Sequence, residues 1–156
     1  MELILWRHAE AENPHIGRRD EERQLTPQGQ RDAHGMADWL RRHLPGDIRL
    51  LASPALRTRQ TLSALALPFE QYADFGLDTT AVRFLAATGW PDGEGSVLVA
   101  GHQPTLGRVA ALALTGQEQS WSVKKGSVWW LSLRDREEPG HVLLRAVMTP
   151  QLLAKE

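Results

Sequence analysis

A chain of 156 residues with a formal net charge of −1 and no cysteine has the size of one domain and excludes several chemistries at once. Without thiols there is no disulfide framework, zinc–thiolate centre, iron–sulfur cluster or cysteine nucleophile. The balanced charge offers no overall attraction to nucleic acid or to an anionic membrane, so any anion site must be local. No apolar run approaches the ~20 residues that span a bilayer. The apolar start, Met1 to Trp6, runs into Arg7, His8 and Glu10, unlike a signal peptide. The expectation is a soluble, cytoplasmic, single domain over residues 1–156.

Leu3-Ile4-Leu5-Trp6 is a short, nearly continuous apolar run, which predicts a strand buried on both faces as in a parallel sheet. Arg7-His8 comes directly off it. In a continuing strand these two side chains would point to opposite faces, so acting together requires the chain to turn outward there. The segment Ala9 to Pro14 is consistent with such an exit. Thr26-Pro27 then predicts a helix start, with threonine as the cap and proline in the first turn. Ala33, Met36, Ala37, Leu40 and Leu44 form the apolar stripe of that helix.

Ile48 to Leu51 predicts a second strand, followed by Ser53-Pro54 as another helix start supported by Leu62 and Leu65. Arg57 falls on the first turn of that helix. Arg59, two residues on, cannot share its face and reads as a solvated charge. Val82, Leu85 and Ala86 support a helix before Gly89. Ser96 to Ala100 predicts a third buried strand, then Gly101-His102, then Gln103-Pro104 opening a helix through Leu106, Val109, Ala110, Ala113 and Leu114 that ends at Gly116. Ser127 to Leu133 and His141 to Val147 read as strands joined by a turn at Glu138-Pro139-Gly140. This alternation predicts an α/β, three-layer sandwich with a mostly parallel central sheet and helices on both faces.

Two of the helix starts directly follow strands, so their N-termini open at the carboxyl edge of the sheet. That edge is where open α/β sheets bind ligands, and helix N-termini favour anions there. Arg7, His8, Arg57 and His102 all fall at this edge. Taken singly, each has a plain structural reading: a polar strand end, a helix-borne charge, a capping or core histidine. Two histidines leaving strands at one edge favour a catalytic pair. His34 and His43 lie off the helical stripe and read as solvated, His141 as the start of a strand, and His15 as a loop residue. Trp6, Trp129 and Trp130 read as strand packing, leaving Trp39, Trp90 and Trp121 as the tryptophans with room for exposure. A metal site is not expected, because His8 and His102 lack carboxylate or thiolate partners and flanking arginines repel a cation.

Four segments, in this order, resemble the histidine phosphatase superfamily (phosphoglycerate mutase-like): Leu3 to Glu10, Leu25-Thr26-Pro27-Gln28-Gly29, the Ser-Pro-x-x-Arg-x-x-Gln-Thr run from Ser53 to Thr61, and Gly101-His102. Within it the chain is most similar to the short SixA-type phosphohistidine phosphatases. The likeness lies in Arg7-His8-Ala9, in Asp20 to Arg23 before Leu25-Thr26, and in Thr149 to Leu152. The resemblance implies the histidine-phosphatase fold and a phosphatase needing neither metal nor cofactor. It implies His8 as the nucleophile, with Arg7 and Arg57 gripping the phosphoryl oxygens and His102 as a third donor. The backbone N–H of Gln103 would be a fourth. Arg23 either reaches the phosphate or screens the site, or it is a surface charge.

Such a nucleophile must be a neutral imidazole near pH 7. An ordinary histidine has a pKa of about 6.5, and nearby arginines push it lower. The transition state spreads charge over three equatorial oxygens, which the planar forks of two arginines match. Water then attacks the phosphorylated His8 and frees inorganic phosphate. Many members of the wider family also use a carboxylic acid to protonate an alkoxide leaving group. Glu10, Asp74 and Asp78 are candidates, and none has a clear context. A phosphohistidine substrate relaxes that demand because imidazole leaves more readily than an alkoxide. The short chain also leaves little material for a lid, which suits a phosphohistidine borne on a protein. Two alternatives stay open: a small-molecule phosphomonoester phosphatase or mutase of the same fold, which a carboxylate near His8 would support, and a phosphate- or phosphoprotein-binding module without turnover.

Overall fold

The computed structural model describes residues 1–134 and 141–154. The turn expected at Glu138-Pro139-Gly140 lies outside the described residues. Six strands, β1 (Glu2–Arg7), β2 (Arg49–Ala52), β3 (Glu70–Gln71), β4 (Ser96–Gly101), β5 (Val128–Leu133) and β6 (Val142–Met148), form one sheet in the order β3-β2-β4-β1-β5-β6. The first four are parallel to one another, and β5 and β6 pair antiparallel at one side. The α/β, mostly parallel sheet expected from the apolar runs is therefore present.

The helices are α1 (Pro27–His43), α2 (Leu56–Ser63), α3 (Ala81–Ala87), α4 (Thr105–Thr115) and α5 (Pro150–Leu153). They cover both faces because side chains alternate along a buried strand. Leu3 and Leu5 of β1 pack with Val97 and Val99 of β4 against α3 and α4, through Phe84, Leu106, Val109 and Ala110. Ile4 and Trp6 pack with Leu98 and Ala100 against Met36, Ala37 and Leu40 of α1 and Leu62 of α2. A strand with apolar residues at every position is what a three-layer arrangement requires. No helix among the described residues is long and apolar enough to cross a membrane.

The helix signals hold with three adjustments. Thr26 caps α1 by accepting from the backbone N–H of Gly29, with Pro27 in the first turn, and Gly116 ends α4 in the left-handed conformation at φ 80°. At Ser53-Pro54 and Gln103-Pro104, however, the helices begin after the prolines, at Leu56 and Thr105. The stripe of α3 is also rotated from the expected one. Phe84 joins Leu85 in the core, while Val82 is 62% exposed and Ala86 is exposed. Trp90 is buried in the core rather than exposed, and Trp39 and Trp121 are half-buried against Trp130 and Trp129. The two-residue strand β3 has no apolar pattern of its own and arises from pairing with Leu51 and Ala52.

The connection through α1 carries the chain past one strand position, and β4 later fills that slot between β1 and β2. In register, Arg7 stands opposite Gly101 and Ala52 opposite Ala100. The residues that follow, His8, His102 and Ser53, consequently emerge side by side at one carboxyl edge, at a point where the strand order changes direction.

Candidate active site

His8 is the first residue past β1 and is 7% exposed. Its backbone N–H donates to the carbonyl of Gly101 (3.2 Å), which locks the strand exit to β4. Its ring Nδ1 lies 2.7 Å from the carbonyl of Ala9. A carbonyl only accepts, so Nδ1 carries the proton and the Nε2 lone pair is left free. Burial, only partly opposed by that bond to Ala9, lowers the His8 pKa to about 4, with Arg57, Arg7 and Arg23 adding to the shift. The sequence reading credited the arginines; removal from water is the larger cause.

His102 is 3% exposed, with its ring centroid 5.4 Å from that of His8. Burial first, then the neighbouring His8 and Arg57, lowers its pKa to about 3. Both imidazoles are therefore neutral at neutral pH. His102 Nε2 lies 2.8 Å from the hydroxyl of Ser53.

Arg57 reaches in from the first turn of α2 and is 2% exposed. Its Nη1 donates to the backbone carbonyl of Asp20 (2.8 Å) and its Nη2 to the Asp20 carboxylate (3.0 Å). Arg23 donates through Nε to the other carboxylate oxygen of Asp20 (2.9 Å) and through Nη1 to the carbonyl of Glu12 (3.0 Å). Lost hydration works against ionisation of Asp20, but Arg57 and then Arg23 outweigh it and hold the carboxyl below its usual range. Arg7 donates through Nη1 to the carbonyl of Val123 (2.8 Å). Gln103 spends its side chain on structure: Nε2 donates to the carbonyl of Trp121 (2.8 Å) and Oε1 accepts from the N–H of Gly107 (2.7 Å).

Arg7, His8, Arg23, Arg57, His102 and Gln103 all line one cavity of about 260 Å³, so every residue singled out for the site meets there. Among the described residues, four buried polar side-chain atoms lack a partner. Three of them, Arg7 Nε, Arg57 Nε and His102 Nδ1, belong to this lining, and the fourth is Ser127 Oγ. Buried polar groups are normally paired, and donors left unmet around a neutral imidazole suit an anionic ligand. A larger groove of about 420 Å³ between α1 and α5 gathers exposed Arg31, Asp38 and Arg42 with half-buried Asp32, and no comparable buried cluster.

The three candidate acids do not join the site. Asp74 is held by Arg83 (2.7 Å), Asp78 lines a neighbouring cavity with Pro54 and Gly76, and Glu10 is absent from the lining. His15 is an exposed residue 4.0 Å from Glu12. Arg59 is half-buried, donating from Nε to the carbonyl of Pro54 (3.1 Å), and is not a freely solvated charge. The sequence reading missed Asp20, Lys125 and Leu77 in the lining and Ser53 behind His102. Asp20 lay within a motif already noted, but its partner Arg57 is 37 residues away and no local pattern connects them. Nothing around Lys125 signals its place. No group of three or more histidines and carboxylates among the described residues could hold a metal ion.

Residues 3–78 match the family model of the histidine phosphatase superfamily, branch 1. An uncharacterised protein of Mycobacterium leprae is 35% identical over 120 residues, covering 70% of this chain and 71% of that protein. The structure of the protein histidine phosphatase SixA complexed with tungstate superposes with a TM-score of 0.83 at 27% identity, covering 98% of this chain and 99% of the other. A phosphoserine phosphatase mutant from Entamoeba histolytica in complex with phosphoserine gives 0.71 at 14% identity over 96% and 98% of the two chains, a likeness of fold alone. With this fold, this cavity and these similarities, the chain belongs to the histidine phosphatase superfamily, as a SixA-like phosphatase.

Proposed function

We propose that this phosphatase hydrolyses phosphohistidine carried on a protein, through a phosphorylated His8 and without a metal ion. In the first step the Nε2 lone pair of His8 attacks phosphorus. The phosphorus–nitrogen bond of the substrate breaks, and its electron pair returns to the departing imidazole, which takes its proton from solvent. Arg7 and Arg57 take up the charge on the equatorial oxygens, with His102 and the backbone N–H of Gln103 as further donors and Arg23 at the rim. In the second step water attacks phosphorus, the bond to His8 breaks, the lone pair returns to Nε2, and inorganic phosphate leaves with the water's oxygen. A single domain over residues 1–156 belongs to the same proposal, since one sheet runs from Glu2 to Met148.

The observation that carries the choice of substrate is the state of Asp20. Among the described residues it is the one carboxylate in the lining, and two arginines hold it ionised. A carboxylate so held is a poor proton donor, and an alkoxide leaving group needs one. Imidazole does not. The 27% identical SixA structure, a protein histidine phosphatase, supports the same reading.

The test is release of phosphate from a phosphohistidine peptide and from a phosphoserine peptide, with EDTA present, by wild type and His8→Ala. Release from the phosphohistidine peptide alone, lost in His8→Ala, is the expected result. Turnover of phosphoserine alone would overturn the substrate and require a proton donor this reading does not contain. Binding of phosphate with no turnover of either peptide would make the chain a binding module.

A further inference from the structure

Ser53 is 1% exposed and lies behind His102, where its hydroxyl meets two nitrogens. The oxygen accepts from the backbone N–H of Ala55 (3.2 Å) and lies 2.8 Å from His102 Nε2. No other partner of that hydroxyl is found among the described residues. A serine hydroxyl has one proton to give and two lone pairs to receive with. The contact with His102 can therefore be satisfied in two ways, and they differ in consequence.

If Nε2 carried the imidazole proton, Ser53 would accept twice and its own buried O–H would have no acceptor. His102 would also be left with a bare lone pair at buried Nδ1, in a lining that contains Arg7, Arg23 and Arg57. That nitrogen could offer nothing to an anion. If instead the Ser53 O–H donates to Nε2, both the donor and an acceptor of the hydroxyl are paired. The imidazole proton then sits on Nδ1, the nitrogen that has no partner among the described residues. Burying an unpaired hydroxyl is costly, so the second arrangement is preferred even before a ligand arrives.

We propose that Ser53 is a positioning residue that fixes His102 as its Nδ1–H tautomer, so that the two histidines of the cavity offer a phosphoryl group opposite chemistry. The Ala9 carbonyl accepts a hydrogen bond from Nδ1–H of His8 and leaves a bare Nε2 to attack. The Ser53 hydroxyl occupies Nε2 of His102 and leaves an N–H to donate. One residue type thus serves as nucleophile and as neutral donor in the same pocket, and the division is made by what stands behind each ring. Burial, which keeps both rings uncharged at neutral pH, is what makes tautomer rather than charge the deciding variable.

The inference rests on the reading of His8 as nucleophile and His102 as donor, but its primary test needs no substrate. Long-range proton–nitrogen correlation spectra of 15N-labelled protein at pH 7, with His102 assigned by comparison with His102→Gln, show which ring nitrogen carries the proton. Nδ1–H in wild type is expected, and in Ser53→Ala a shift of the proton wholly or partly to Nε2. With that shift kcat falls by about 10–100-fold at little change in KM, while Ser53→Thr, which keeps the hydroxyl, retains the wild-type tautomer and most of the rate. A wild-type His102 protonated at Nε2, or a Ser53→Ala spectrum unchanged from wild type, overturns the proposal. A wild type that shows Nδ1–H yet ignores phosphohistidine peptides leaves the tautomer assignment standing and sinks the substrate reading instead.

Discussion

Arg7 of β1 and Gly101 of β4 stand opposite each other in a parallel ladder, and the next residue of each strand is a histidine. Because the strands run the same way, both histidines leave the sheet at one edge, with ring centroids 5.4 Å apart. The bond from the His8 N–H to the Gly101 carbonyl fixes the spacing. The pairing of the two histidines is thus a consequence of strand register.

Burial of the two imidazoles has a pH signature in stability. The unfolded chain binds protons on His8 and His102 near pH 6.5, whereas the folded chain holds them off until about pH 4 and about pH 3. Between those limits the unfolded state carries more protons, so stability falls as pH drops from about 6.5 toward 4 and is fully present above 6.5. Thermal melts over pH 4 to 7 should show this slope, and His102→Gln should flatten it.

The same depression predicts the acid limb of the rate. In the proposed mechanism His8 attacks as the neutral ring, so kcat/KM should hold down to about pH 4 instead of falling near pH 6.5. A pH–rate profile, measured with a substrate whose own hydrolysis is corrected at each pH, checks it.

Arg57 cannot be exchanged for lysine. Its two Nη groups are tied to the carbonyl and carboxylate of Asp20 while its Nε remains unpartnered, and an ammonium offers no such fork. Arg57→Lys should lower kcat/KM by about 10²-fold or more. It should also leave Asp20 and Arg23 less ordered, to be read by steady-state kinetics and by backbone amide shifts around Asp20.

Two glycines of α1 should respond oppositely to alanine. At Gly29 a Cβ would collide with the carbonyl of Glu10, the atom that accepts from the N–H of Thr26 and anchors the exit loop of His8. Gly29→Ala should cost about 1–3 kcal/mol and reduce activity. At Gly35 nothing lies within 4 Å of a Cβ, and alanine should stabilise the helix by roughly 0.5–1 kcal/mol. Urea melts of the two variants decide it.

An oxyanion should stabilise the fold through the unmet donors of Arg7, Arg57 and His102. Tungstate or phosphate at about 100 times its Kd should add roughly 2.7 kcal/mol to the unfolding free energy. Arg57→Ala should lose most of that gain in calorimetric melts with and without the anion.

Much of the sheet could be read before any coordinates. Leu3 to Trp6 and Val97 to Ala100 are apolar at every position, which only a strand covered on both faces explains, and both lie in such strands. Thr26-Pro27 and Gly116 carry their helix boundaries in local chemistry. Where the reading went astray, the deciding contact came from elsewhere. Val82 lost its place in the core to Phe84, which packs edge-on against Phe75 at 4.9 Å. Trp90 is buried under a cluster that its neighbours in sequence do not announce.

The candidate site divides along the same line. His8, Arg7, Arg57 and His102 were legible because each sits at a strand end or helix start, and those positions are set by nearby residues and by the strand and helix signals around them. What the sequence by itself determined about this protein was which groups reach the edge of the sheet. Only the tertiary structure decided their state. Asp20 clamps Arg57 from 37 residues away, the Val123 carbonyl receives Arg7 from 116 residues away, and Ser53 stands behind His102 from 49 residues away. Protonation, tautomer and charge depend on distance, burial and the direction of hydrogen bonds, and those quantities exist only once the chain has folded.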